Sequence, residues 1–142
     1  MLRVLGGDTV YLGPEPDLAA LHESAVGVTL LTTMVGFAYG ASMVGSRGLP
    51  ATGMVRYSVK WLRMIERILP LMARQIDSGD YRQESGPLEL FLDILPGDLE
   101  AAEEAKVDAE WLRPMHDLVR RAVAEGHGKH GGAALVELLK LP

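Results

Sequence analysis

The 142-residue sequence contains no cysteine, and its basic residues are outnumbered by its acidic ones. Without cysteine the chain has no disulfide framework and no thiolate chemistry, and a reducing cytoplasm is the compartment we expect. The sequence has 14 Lys and Arg residues and 19 Asp and Glu residues, which gives a formal net charge of −5. This negative charge argues against a nucleic-acid partner. No glycine-rich phosphate loop, nucleophile elbow or metal motif is present either, so we expect no cofactor-binding residue and no metal site in this chain.

The longest uncharged stretch covers residues 24–46 and belongs to a helical pattern that starts at Asp17. A helix rises about 1.5 Å per residue, so a helix from Asp17 to Gly45 is roughly 40 Å long. Such a helix is a membrane span, the buried axis of a larger core, or a rod shared between two subunits. Thr32, Gly36 and Gly40 dilute the run, and no cluster of Lys and Arg flanks it. These features favour a buried helix of a soluble protein over a membrane span.

The remaining pattern predicts an all-α fold with one anomaly at its start. Residues 2–12 have the composition of two short strand-like pieces around a Gly-Gly-Asp turn, the second ending in Val10, Tyr11 and Leu12. A lone strand is not stable without a partner, so this one pairs with its twin in a dimer or belongs to a sheet that the chain does not contain. Apolar spacing predicts four later helices at residues 49–78, 88–105, 108–125 and 133–140, with interruptions at Pro70 and Pro96-Gly97.

Three groups of side chains have both a functional and a structural explanation. The basic residues of the second helix would suit a phosphate, but a solvated or ion-paired face is favoured, with Glu66 and the acidic residues Asp98, Glu100, Glu103 and Glu104 as partners. His127 and His130 stand three apart and would suit a metal, but no cysteine or carboxylate pair accompanies them. His116 is interpreted as structural. The basic residues are Arg56, Lys60, Arg63 and Arg67.

The front of the uncharged helix carries the pair His22-Glu23. Glu23 is the last charged residue before the run, so it is expected where the helix enters the core. A carboxyl group at such a boundary is partly desolvated, which favours its protonated form and suits a general acid near neutral pH. The alternative, which spacing alone favours, is a first-turn carboxylate stabilised by the helix dipole.

Seven segments follow one another along the chain: TVYLG, ALHESA, MVGFAYGASMV, IDSGDY, VDAEWL, RRAVAEGHG and AALVELL. In this order they resemble the C-terminal helical domain of imine reductases and reductive aminases. Those enzymes belong to the 6-phosphogluconate dehydrogenase and β-hydroxyacid dehydrogenase superfamily. The resemblance extends from about Val10 to Leu139, and its most specific segments are GFAYGASMV and RRAVAEGHG.

In that family an N-terminal Rossmann domain binds NADPH, and its last strand leads into a long interdomain helix. The helical domains of two subunits exchange, so that each active site forms between one subunit's Rossmann domain and the other's helical domain. The resemblance therefore implies a 6-phosphogluconate-dehydrogenase-like helical domain with one long, buried interdomain helix. It implies that residues 1–13 are the remnant of the last strand of an absent Rossmann domain. Residues 14–142 are then the helical dimerisation and substrate domain of an intertwined homodimer, with no membrane partner.

The resemblance also implies the site residues. The segment ALHE aligns Glu23 with a position at which family members usually have Asp, and sometimes Tyr or another residue. In the family this group protonates or anchors the imine nitrogen. A tyrosine found eight residues later in some reductive aminases aligns with Leu31, which has no hydroxyl. The residues expected to line the substrate pocket are Leu31, Met34, Phe37, Trp61 and Met64.

The function implied is that of a substrate-binding and dimerisation domain of an NADPH-dependent, imine-reductase-like oxidoreductase. The full-length parent would transfer hydride to a C=N bond of a small-molecule imine, with NADPH bound outside this chain. The chain alone binds no cofactor and is expected to be inactive. The alternative is a non-enzymatic helical dimer or scaffold that lacks a cofactor domain.

Overall fold

The computed structural model describes residues 10–82 and 86–141. In these ranges the regular structure is helical and contains no strand, as the all-α prediction requires. Short 3-10 helices at Ala51–Met54, Glu110–Leu112 and Gly132–Ala134 and a π-helix at Val123–His127 join the longer elements. The α-helices described are α1 (Leu18–Gly45), α2 (Val55–Ser78), α3 (Glu89–Leu92), α4 (Leu95–Ala105), α5 (Arg113–Ala122) and α6 (Leu135–Leu139).

The chain divides into two compact units, with the boundary between Ala38 and Tyr39, inside α1. The first unit contains most of α1. The second contains the last turns of α1 and every later helix.

The long helix predicted for residues 17–45 is present as α1, which covers 28 residues. No residue of α1 is buried, so the burial that the sequence predicts for this helix is not provided by the described part of its own chain. Burial in a dimer stays a prediction. Thr32 and Thr33 fit into the apolar helix because their hydroxyls donate to carbonyl oxygens one turn earlier, at 2.9 and 2.8 Å. By length and composition α1 would also qualify as a membrane span, a test that core helices of soluble proteins pass as well.

The predicted N-terminal strand is not formed by its described part. Val10, Tyr11 and Leu12 are irregular and exposed, and residues 2–9 of the same segment lie outside the described residues. The physical reason is that a strand needs hydrogen bonds to a neighbouring strand, and residues 10–82 and 86–141 contain none. The assignment of residues 1–13 to the sheet of an absent domain stays a prediction.

The second helix begins later than predicted and is not broken by its proline. Residues 51–54 form a 3-10 turn after Pro50, and α2 starts only at Val55. Pro70 lies inside α2, which continues to Ser78. The helix ends where the sequence predicts, because Gly79 takes the left-handed conformation at φ 69° that closes a helix C-terminus.

The third predicted helix is divided into α3 and α4, but not at the predicted place. The break falls at Asp93 and Ile94, whereas Pro96 and Gly97 lie in the first turn of α4. A first-turn proline is tolerated because its missing N–H would have had no helical partner there. Asp108 was predicted to cap the fourth helix, and its carboxylate does accept a hydrogen bond from the backbone N–H of Glu110 at 2.8 Å.

The apolar core of the second unit lies towards the C-terminus of the chain. Leu88 is at its centre with 1% of its surface exposed, and its backbone N–H donates to the carbonyl of His130 at 2.9 Å. Small alanine side chains allow the surrounding backbone segments to approach Leu88 closely. The cluster comprises Tyr81, Leu88, Ala122, Ala133 and Ala134, with Met72, Val123, Leu135, Val136 and Leu138 packed against it.

We predict that Leu88→Ala lowers the free energy of unfolding by about 3 kcal/mol, because it removes a buried side chain from a close-packed core and leaves a cavity. Urea denaturation of the 142-residue chain measures this loss. The matched control is Leu90→Ala, two residues away and 54% exposed, for which we expect a loss below about 1 kcal/mol. Equal losses for the two variants would show that Leu88 is not the centre of the core.

Candidate functional site

Four of the predicted site residues lie on α1 in the first unit: Glu23, Leu31, Met34 and Phe37. At about 100° per residue, Glu23, Met34 and Phe37 lie within an arc of about 60°, and Leu31 is about 80° from Glu23. All four are exposed, with Leu31 and Met34 each 61% accessible. The structure thus places a carboxylate at one end of an apolar strip roughly 20 Å long on one side of α1.

The described residues do not bury Glu23, the carboxyl group for which the sequence predicts desolvation. Glu23 and its neighbour His22 are both exposed, and the apolar residues that follow them on α1 are unburied as well. The uncharged helix was expected to be the buried axis of a larger core or a rod shared between two subunits, so the desolvation of Glu23 stays a prediction for the second arrangement. Any dry environment for the Glu23 carboxyl group has to come from another polypeptide segment.

The other two predicted site residues, Trp61 and Met64, lie together on α2 in the second unit. They are three residues apart on one side of the helix and line the same open groove. Trp61 is 65% exposed and therefore has most of its indole surface available to a ligand or partner. The groove is also lined by Arg56, whose guanidinium carbon lies 4.7 Å from the centre of the Tyr57 ring, a cation–π contact.

The sequence did not predict the polar cluster that the structure forms around Tyr81. The Tyr81 hydroxyl donates a short hydrogen bond to the Glu137 carboxylate on α6, and Lys140 donates to the same carboxylate at 2.8 Å. The Nδ1 atoms of His127 and His130 are 3.0 Å apart, and both imidazole rings lie about 6 Å from the Tyr81 ring, at 6.2 and 6.1 Å between centroids.

Backbone geometry positions this cluster. The helix that begins with α5 ends in a π-helical segment, within which Gly126 has a φ of 98°, a conformation that favours glycine. The chain turns after it, and the N–H of His130 donates to the carbonyl of His127 at 2.9 Å. The N–H of Gly131 then donates to the carbonyl of Tyr81 at 3.3 Å, which ties the two segments together.

The hydrogen bond from Tyr81 alters the acidity of both partners. Donating to Glu137, together with burial, raises the pKa of Tyr81 above its ordinary value of 10.0. Hydrogen bonds from Lys140 first and from Tyr81 second lower the pKa of Glu137 below its ordinary value of 4.5. Next to this cluster, Arg82 holds the pKa of the Asp80 carboxyl group at about 2. The cluster therefore keeps a neutral phenol beside an ionised carboxylate at neutral pH.

The His127 and His130 imidazoles lie within hydrogen-bonding distance of each other. Among residues 10–82 and 86–141, no three His, Cys, Asp or Glu side chains converge on a possible metal position. At 3.0 Å, one Nδ1 must carry the proton and the other must accept it. The His127–His130 spacing was visible in the sequence, but Tyr81 and Glu137 are 56 residues apart, and no local pattern indicates that they meet.

His116, interpreted from the sequence as structural, is 3% exposed. Its Nε2 atom lies 3.7 Å from the carboxylate of Asp98 on α4, so the pair links α4 to α5. Beside it the Tyr39 and Trp111 rings meet edge to face at 5.4 Å. Burial, with a smaller contribution from the nearby Asp98 charge, raises the pKa of Tyr39.

Comparison with known proteins shows one consistent family. Residues 15–141 match the family described as NADPH-dependent reductive aminase-like, C-terminal domain. An NADPH-dependent reductive aminase of Aspergillus oryzae is 30% identical over 138 residues, which are 95% of this chain and 47% of that protein. The chain therefore spans about half the length of the curated relative that it matches.

Solved structures agree with this assignment. The reductive aminase of Aspergillus terreus, in complex with NADPH4, cyclohexanone and allyl amine, matches 96% of this chain and 48% of its own with a TM-score of 0.88 and 34% identity. An imine reductase of Streptomyces aurantiacus matches 99% of this chain and 49% of its own with a TM-score of 0.86. At 21% identity the second likeness shows the fold alone.

We predict that Tyr81→Phe lowers the free energy of unfolding by about 1 kcal/mol near pH 7, because it removes the hydrogen bond to Glu137 and keeps the buried ring. The loss should depend on pH at both ends of the range. Since the folded pKa of Tyr81 is raised, the contribution is complete below pH 10 and is lost as the pH rises through the folded value. Since the folded pKa of Glu137 is lowered, the contribution is present above pH 4.5 and is lost as the pH falls through the folded value.

Urea denaturation of the wild type and the variant across this pH range measures the difference. Tyr57→Phe is the control, because the Tyr57 side chain is exposed and the loss of its hydroxyl should leave stability unchanged. A difference between wild type and Tyr81→Phe that is the same at every pH would contradict the assignment of the bond to Glu137.

Proposed function

This chain belongs to the NADPH-dependent reductive aminase-like C-terminal domain family, and from that membership we propose that it is the substrate-binding and dimerisation half of a cytoplasmic oxidoreductase. The proposed reaction is the reduction of a C=N bond in a small-molecule imine. The observation that carries the proposal is the match of residues 15–141 to this family, at about half the length of the relatives.

The parent protein would supply the cofactor site. NADPH, when bound there, provides the hydride that adds to the imine carbon. The residues described in this chain include no glycine-rich turn between a strand and a helix, and the dinucleotide phosphates are proposed to bind in the parent's other domain. The proposed share of this chain is to hold the substrate and to place one carboxyl group beside its nitrogen.

Glu23 is the proposed proton donor or iminium anchor. As hydride reaches the imine carbon, the electron pair of the C=N bond moves to nitrogen, which needs a proton or has already received one. A carboxyl group beside that nitrogen can donate the proton, or as a carboxylate it can stabilise the iminium cation. Leu31 lies about 12 Å further along α1, because a helix rises about 1.5 Å per residue. It aligns with the tyrosine of some reductive aminases but has no hydroxyl that could donate a proton.

Apolar residues on α1 and, separately, on α2 are the residues proposed to contact the substrate. Met34 and Phe37 follow Glu23 on the same side of α1, and Trp61 and Met64 lie together on α2. Their exposure in the single chain leaves apolar surface for a substrate and for the partner domain that closes the pocket.

Dimerisation is proposed for a physical reason as well as from the family. An exposed apolar patch of more than a few hundred Å² is unusual on a monomer and marks an interaction surface. In this chain α1 has no buried residue, and Tyr57, Trp61, Met64 and Ile65 form an exposed apolar side of α2. A second copy with exchanged helical domains would cover these surfaces.

We predict that the natural protein exceeds this 15.4 kDa chain by roughly one Rossmann domain, on the order of 150 residues. Intact-mass measurement of the protein from its source cell tests this. A natural product of about the mass of this chain would remove the enzymatic proposal and leave the non-enzymatic helical dimer or scaffold.

We predict that Glu23→Gln in the full-length parent lowers turnover at least about tenfold, because the amide can neither donate a proton nor balance an iminium charge. Oxidation of NADPH under saturating imine measures turnover. Glu23→Asp should retain more activity than Glu23→Gln, since it keeps the carboxyl group. Glu15→Gln, an exposed carboxylate before α1, is the control and should be neutral. Unchanged turnover in Glu23→Gln would remove this residue from the mechanism.

A further inference from the structure

A stripe of four cations on α2 has no counter-ion in the described part of the chain. At about 100° per residue these side chains lie within an arc of about 60°, and they extend roughly 16 Å along the helix. All four are exposed. The ion pairs of the described residues involve Arg82, Arg113, His116, Arg120 and Lys140, and none of them includes the stripe. The α2 stripe consists of Arg56, Lys60, Arg63 and Arg67.

This arrangement does not stabilise the helix that carries it. Like charges four residues apart on a helix repel each other, and the stripe contains two such pairs, Arg56 with Lys60 and Arg63 with Arg67. The exposed apolar residues Trp61 and Met64 lie beside the cations in the same groove. A surface that combines unpaired cations with exposed aromatic and thioether groups has the composition of a binding surface.

A matching acidic surface lies on α4. Glu100, Glu103 and Glu104 are all exposed, while the opposite side of the helix buries Leu95 and Ala102. None of the three glutamates belongs to an ion pair of the described residues. Two of them, Glu103 and Glu104, stand in the last turn, where the helix dipole disfavours negative charge. The charges of the α4 acidic face, like those of the α2 stripe, therefore do not stabilise the helix that carries them.

We propose that the α2 stripe of one copy binds the α4 acidic face of a second copy of this chain. The inference rests on the dimer of the proposed function and specifies one of its contacts. Complementary charge is the argument for this occupant, because neither surface has an ion-pair partner among residues 10–82 and 86–141 and each supplies what the other needs. In a two-fold dimer the contact occurs twice, since each copy carries both surfaces. The contact also orients two chains that otherwise repel each other through their net charge of −5.

Charge reversal and its rescue test the contact. One variant, Lys60→Glu with Arg63→Glu and Arg67→Glu, reverses the stripe and spares Arg56, which stacks on Tyr57. The second variant reverses the acidic face with Glu100→Lys, Glu103→Lys and Glu104→Lys. The third combines both sets and so restores the original net charge. Sedimentation equilibrium of the 142-residue chain at about 0.05 M and about 0.5 M salt gives the dimer dissociation constant, with screening stronger at the higher salt.

We expect each one-sided reversal to raise the dissociation constant at least tenfold and the combined variant to return it towards the wild-type value. Rescue by the combined variant excludes misfolding as the cause of the one-sided losses. The wild-type constant should rise with salt. A control with the same change in net charge as the acidic-face variant is Glu15→Lys with Asp77→Lys and Glu125→Lys, three exposed carboxylates outside α4. This control should not weaken the dimer.

The outcomes separate the contact from the dimer itself. A wild-type dimer that neither one-sided reversal weakens, or one that the combined variant fails to rescue, overturns this contact and leaves the proposed dimerisation standing. A wild-type chain that remains monomeric at every concentration overturns the dimerisation of the isolated chain together with the contact. A loss in the Glu15, Asp77 and Glu125 control equal to that of the acidic-face variant assigns the effect to net charge and also overturns the contact.

Discussion

An apolar helix in which the described part of the chain buries no residue is the constraint on which the rest of this structure depends. α1 covers 28 residues, is uncharged from residue 24 to its end, and has no buried residue. Burial of apolar surface stabilises a protein by about 25 cal/mol per Å², and the exposed apolar residues of α1, among them Leu21, Leu30 and Met34, do not contribute it within the described residues. The proposed dimer would gain it, and the same step would enclose Glu23 in the drier environment that a proton donor requires.

The second unit reaches stability by a different route. Its buried cluster is small and rich in alanine, so hydrogen bonds with fixed geometry contribute to holding its segments in place. The Tyr81 hydroxyl binds Glu137 on α6, and the side-chain amide of Gln75 donates to the carbonyl of Arg82 at 2.9 Å. These bonds join the end of α2 to the C-terminal segments. The earlier turns of α2 carry Trp61 and Met64, whose side chains are accessible.

Helix positions were largely predictable, because apolar spacing and breaker residues act locally. Gly79 ends α2 as expected, and Asp108 accepts a hydrogen bond from the Glu110 N–H just before the next helical segment, whose N-cap residue is Ala109. The errors have the same local origin. Pro96 was read as a break, although a first-turn proline costs no hydrogen bond. Glu23 and Trp61 were proposed as site residues only through a family resemblance and stay predictions, while the Tyr81–Glu137 bond joins residues 56 positions apart and has no local sequence pattern.

The sequence by itself determined the helical content, the exceptional length of α1 and the membership of the chain in its family. These properties follow from the periodicity and order of residues along the chain, and they can be recognised without knowledge of any tertiary contact. Only the tertiary structure decided that Leu88 is the centre of the core, that His116 is buried against Asp98, and that the described part of the chain fully buries no residue of α1. Burial and pairing depend on which surfaces meet across the chain, and hydrophobic spacing along one helix shows that a surface needs a partner without showing which partner it has.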